Sequence, residues 1–155
     1  MRSAGKCEND VTKLLLSVHV LAAILAIGPI AVAASMFPRY TRTTDAEGEG
    51  PQTARVLHRI CRAYTVLGIA VPVFGVATGA RLGVLADAWL LASIVLTAAA
   101  AALLVLVILP AQQRLLGGPE RAGAARLAMS TGVFNLLWAV VVVLMIVRPG
   151  STTGA

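Results

Sequence analysis

Leu14–Met36, LLLSVHVLAAILAIGPIAVAASM, runs for 23 residues without a formal charge. A helix needs about 20 apolar residues to cross the hydrocarbon core of a bilayer, so this stretch is long enough to span. Arg2, Lys6 and Lys13 precede it, and the small residues Ala33, Ala34 and Ser35 end it, as in a secretory signal peptide. The apolar region of a signal peptide is only about 7–15 residues, however, so the stretch is read as a helix of the mature protein. It contains the imidazole of His19 and the pair Gly28-Pro29. Proline in mid-helix removes a donor and predicts a kink.

Three further runs resemble it: Ala63–Ala80 (AYTVLGIAVPVFGVATGA), Ala88–Leu109 (AWLLASIVLTAAAAALLVLVIL) and Leu127–Val147 (LAMSTGVFNLLWAVVVVLMIV). The first of these is short, but its helix begins earlier. Pro51 suits the first helical position, and the stems of Arg55, Arg59 and Arg62 can snorkel to the headgroups. The expected helices cover about 14–36, 53–80, 88–112 and 127–148. Residues Met1–Val11 read as a poorly ordered tail and Arg39–Gly50 as a loop. Gln112–Arg126 reads as a second loop, marked by Gly117-Gly118-Pro119. Short connections make sequential helices antiparallel. The predicted fold is all-α, an integral membrane antiparallel four-helix bundle, with residues 1–155 as a single domain. A soluble bundle would need a polar outward face on each helix, and these runs have none.

Composition agrees. The chain is 58% hydrophobic and 13% charged, against about 45–50% and about 25% for soluble domains. Its net charge of +6 comes from residues in loops and at helix ends, where they orient the helices and touch lipid phosphates. No basic patch is interleaved with aromatics, so nucleic acid is not an expected partner. The expected partners are the lipid bilayer and either a second copy of the chain or a membrane complex.

Lys and Arg number five on the side of the N-terminal tail, Arg81 and Arg148, and eight on the side of the two longer loops. The positive-inside rule then places both termini outside the bacterial inner membrane and both longer loops in the cytoplasm. Cys7 and Cys61 fall on opposite sides, which excludes a disulfide between them.

The apolar runs hold no Asp, Glu, Lys or Arg, which leaves a proton- or ion-coupled transporter little to work with. HExxH, phosphate-loop and nucleophile-elbow patterns are missing, and no catalytic residue is assigned. Gly75-x-x-x-Gly79, with Gly68 seven residues earlier, predicts close helix packing against the Ala98–Ala102 run or a second protomer. The amide of Asn135 must find a partner in hydrocarbon, and Ser93 or Thr97 could supply it. Arg55, Arg59 and Arg62 line one helix face beside His58. This basic cytoplasmic cluster suits lipid phosphate, a soluble partner or an anionic ligand.

His19 leaves two readings open. It is a neutral histidine hydrogen-bonded to a neighbouring helix, or it is a contact for haem, copper or a quinone. His58 cannot share a metal with it. The residues from His19 to Met36 rise about 25 Å along the first helix, and His58 lies at the opposite end. A partner must lie at the depth of His19, where the fourth helix brings Met145 and the third begins at Trp89. Methionine and histidine together are a known axial pair for haem.

Four stretches, in order, carry a resemblance: His19-Val-Leu-Ala-Ala-Ile-Leu-Ala-Ile-Gly28; Arg59 and Arg62 ahead of a span closing on Ala77-Thr78-Gly79; Trp89-Leu90-Leu91; and Trp138 through Met145 to Arg148-Pro149. The chain resembles the bacterial integral membrane proteins grouped as domain-of-unknown-function 2269, over roughly residues 12–149. That family is similar to the copper-resistance D-like domains and, more distantly, to the HemJ-type proteins, which are thought to hold haem through a first-helix histidine. The resemblance implies a four-helix membrane architecture, and it implies haem or copper at His19. Ala26 stands where a tryptophan is often found in that pattern. Phe37-Pro38-Arg39 is similar to the Leu-Pro-Arg of the haem-linked group at a longer distance from the histidine. The expected function is an accessory or interaction subunit without activity of its own. The alternative is a haem- or copper-binding redox protein using His19, and a small-solute permease ranks third.

Overall fold

The structure, a computed structural model, describes residues 2–41, 49–118 and 121–150, with residues 2–9 and 49 described by backbone alone. All regular structure among the described residues is helical. The elements are α1 (Arg2–Tyr40), α2 (Glu49–Gly68), α3 (Ala70–Leu82), α4 (Ala88–Leu103), a π-helical stretch (Leu104–Ile108), α5 (Leu109–Gly117) and α6 (Arg121–Val147). They combine into four runs long and apolar enough to cross a membrane: Asp10–Tyr40, Gly50–Leu82, Ala88–Gly117 and Arg121–Val147.

The helices outrun the apolar stretches that announce them. The backbone of α1 is helical from Arg2, where a loose tail was expected, and it continues past Pro38 to Tyr40. The second run divides into two helices at Ile69. Pro72 has no N–H for the Gly68 carbonyl, and glycine itself holds a helical turn weakly. The Ile69 N–H turns back to the Val66 carbonyl at 3.3 Å, three residues away where a helix would reach four. The third run does not stop at Pro110. That ring cannot donate to Leu106, and the turn ahead of it widens until the Leu109 N–H reaches the Leu104 carbonyl. The helix then resumes through Gly117, so Gln112 and Arg114 are helical rather than part of a long loop.

α1 packs against α2, α3 and α6, while α4 lies along α6 and α5 meets α2. The largest fully buried side chains include Ile30 and Phe37 of α1, Ile108 of the π stretch, and Leu127 and Phe134 of α6. They form one core with Cys61 and Leu57 of α2. Away from it the surface stays apolar: Leu106 is 72% and Ile146 73% exposed. Soluble monomers rarely expose apolar patches beyond a few hundred Å², so this surface suits contact with lipid tails.

Candidate functional site

His19 projects from α1 toward α3. Its Nδ1–H donates to the backbone carbonyl of Val71 at 2.8 Å. A carbonyl only accepts, so Nδ1 carries the proton, and in the neutral ring Nε2 is left as a bare acceptor. Gly75 makes the approach feasible. A Cβ there would stand 2.8 Å from His19 Cε1 and 3.2 Å from Nδ1. The Gly75-x-x-x-Gly79 spacing thus receives side chains. Gly75 takes the His19 ring, and Gly79 takes Leu90, whose Cδ2 would lie 2.9 Å from an added Cβ. The expected Ala98–Ala102 run shares a cavity wall with Gly75, it does not come within 4 Å of an added Cβ at Gly79, and nothing meets one at Gly68.

The imidazole borders a cavity of about 300 Å³ whose walls include Ala23, Gly75, Ala98, Ala101, Trp138 and Met145. Exposed Val76 and Val142 also line it, so it opens on the apolar outer face. A second cavity of about 180 Å³ shares Pro72, Thr97, Ala101 and Trp138 with the first. Polar groups are few here. The Ser93 hydroxyl is taken by the Trp89 carbonyl of its own helix at 2.8 Å. The indole N–H of Trp138 is buried without a partner. The site therefore sets one acceptor, His19 Nε2, in a mostly apolar hollow whose wall also carries the Ser93 and Thr97 hydroxyls and the Trp138 ring.

At the outer edge, a hollow of about 40 Å³ bordered by His19 and Gly75 reaches Trp89 and Arg148. Arg148 closes α6 in a left-handed conformation, φ 45°, which a residue with a Cβ rarely adopts. Its side chain is held twice: Nε donates to the Met145 carbonyl at 3.3 Å, and the guanidinium lies 5.6 Å over the Trp89 ring. Trp89 is in turn fixed by its Nε1–H to Asp87 Oδ2 at 3.0 Å.

The other predicted residues lie elsewhere. Asn135 donates from Nδ2 to Ser35 of α1 at 3.1 Å, where Ser93 or Thr97 was expected, and its Oδ1 is buried without a partner. His58 parts from its arginines. Arg55, Arg59 and Arg62 are exposed, whereas His58 Nδ1–H donates to Gln112 Oε1 at 3.0 Å. Gln112 is completely buried, and its Nε2 donates to Cys61 Sγ at 3.6 Å. This His58–Gln112–Cys61 chain was missed because Gln112 was assigned to a loop. Buried Leu104, Ile108 and Gln112 recur every four residues, a helical spacing that pointed through Pro110. The side chain of Cys7 lies outside the described residues.

His19 and Met145 border the same cavity, and they match in kind the axial donors of a haem. The space is narrow: about 300 Å³ stands at the foot of the range of about 300–1,000 Å³ for small-molecule sites. A macrocycle fits only if the helices part. Among the described residues no three His, Cys, Asp or Glu side chains converge, so beside His19 the soft donor at the cavity is the Met145 thioether.

The fold and site define an all-helical chain with four apolar runs and a cleft to which all four contribute walls. No protein-family model matches the chain, nor does any curated protein or solved structure. The family resemblance rests on the quoted stretches alone.

Proposed function

We propose that this is a multi-pass protein of the bacterial inner membrane, an antiparallel four-helix bundle with both termini outside. It serves as an accessory subunit that holds a small membrane-soluble molecule at His19. The carrying observation is the fixed imidazole: Nδ1 is committed to Val71 and Nε2 is free beside a cavity that opens toward lipid. A molecule with an apolar body and one hydroxyl or N–H donor, such as a quinol, matches that wall. It would enter sideways from the bilayer. Among the described residues the cavity lining holds no carboxylate, and its Ser93 hydroxyl is bonded within its own helix, which supports holding over chemistry.

Haem is the second reading. It is favoured by the carbonyl behind His19 Nδ1, the arrangement that orients metal-ligating histidines, and by Met145 in the same cavity.

One preparation tests both. The full chain is purified in mild detergent, its visible spectrum and metal content are recorded, and co-purifying molecules are identified by mass spectrometry. The expected result is a donor-bearing apolar molecule that is lost in His19→Ala and in the cavity-filling Ala98→Leu, both of which elute and melt like the wild type. Identical small-molecule content in all three proteins overturns the proposal. A Soret band that vanishes in His19→Ala transfers the site to haem. Reporter fusions after Ala155 test the orientation, and cytoplasmic activity there reverses it.

A further inference from the structure

A different hollow, of about 290 Å³, lies between the end of the third run and the start of the fourth. Arg114 of α5 and Arg126 of α6 border it with Ser130, while Leu106, Val107 and Pro110 continue its wall along the helix. Its floor is packed: Leu115 and Leu127 are buried. Both arginines are exposed, and among the described residues neither has an ion-pair partner. The nearest connection begins at Gly118. At about 1.5 Å per residue, Arg114 stands about 6 Å and Arg126 about 10 Å from it along their helices. On the membrane reading above, on which this inference rests, both guanidiniums reach the headgroup layer and Leu106 and Val107 lie among the acyl chains.

Guanidinium forks match the oxygens of a phosphate, whether on a lipid headgroup or in a free anion. One feature favours the lipid. The remaining wall is apolar and runs away from the charge, as a headgroup with an attached chain requires. The π-helical turn helps shape it: Pro110 forces the wider turn at Leu104–Ile108, and π-turns of this kind recur at binding sites.

We infer that the Arg114–Arg126 hollow is a binding site for one anionic phospholipid, with the phosphate between the two guanidiniums and an acyl chain along Leu106 and Val107.

The test uses the full chain in detergent, with native mass spectrometry after addition of phosphatidylglycerol or phosphatidylcholine. Arg114→Gln/Arg126→Gln is compared with Lys13→Gln/Arg81→Gln, which removes the same charge from exposed positions at the opposite helix ends. The expected result is one retained phosphatidylglycerol per chain, no comparable phosphatidylcholine adduct, and affinity on the order of tenfold weaker in the first double variant only. Equal retention in both double variants, or equal loss, overturns the site. Displacement of the lipid by millimolar inorganic phosphate would make it a free-phosphate pocket and also overturn it. A chain that stays monodisperse in water without detergent would instead sink the membrane reading, so the two failures are distinguishable.

Discussion

His58 and His19 each give their Nδ1–H to a carbonyl oxygen, yet the surroundings differ. His58 meets the side chain of a buried glutamine, beside a core of Phe37, Leu57, Cys61, Ile108 and Leu115. His19 meets a backbone carbonyl beside a cavity walled by Ala23, Gly75, Ala98 and Ala101. Near His58, large side chains fill the space and the polar groups satisfy one another, so the imidazole is a structural part. Near His19, small residues let the ring approach α3 but leave the far side unfilled. The same residue type becomes core or candidate site according to the volume opposite it.

Emptying the filled end is the severest way to test this contrast. Phe37→Ala removes a fully buried ring and should destabilise the bundle by about 3 kcal/mol or more, read by reversible unfolding in mixed micelles. A loss no larger than that of a cavity-end change would erase the distinction between the ends.

Gln112→Leu keeps the volume and removes the hydrogen bonds to His58 and Cys61. Leaving a half-buried imidazole donor without its acceptor should cost on the order of 1–3 kcal/mol. Binding at His19 should be unaffected. A neutral outcome would mean that His58 turns to solvent and that its bond to Gln112 is incidental.

Gly75→Ala is the mildest of the three in stability and the sharpest in function. Its methyl would fall 2.8 Å from His19 Cε1, inside the 3.4 Å at which ordinary contact begins, so the ring must shift, at a cost of about 1 kcal/mol. The expected readout is a changed His19 ring-nitrogen NMR signal and weakened retention of the bound molecule. An unchanged His19 signal would show that the Val71 bond does not depend on the glycine.

The apolar runs were legible because bilayer thickness demands about 20 residues per helix and every backbone group must be paired inside it. Leu14–Met36 and its three counterparts therefore announced helices, and His19, Met145 and Trp89 could be placed by depth. The breaks were harder to see. Pro72 splits its helix while Pro29 and Pro38 do not, and Pro110 is absorbed by a π-turn. The residue type alone does not say whether a helix breaks, continues or widens at a proline. Gln112 was hidden for that reason: with the helix expected to end at 112 and the loop to begin there, a buried residue was read as a boundary residue.

The sequence by itself determined four long apolar helices and a chain whose charge is confined to their ends, because hydrophobicity and backbone pairing are local properties. Only the tertiary structure decided that Gly75 receives His19, that Gln112 joins His58 to Cys61, and that space remains beside His19. Those outcomes depend on which side chains face each other across helices far apart in the chain. Volume and hydrogen-bond partners are settled there, between segments, and no single run of sequence carries them.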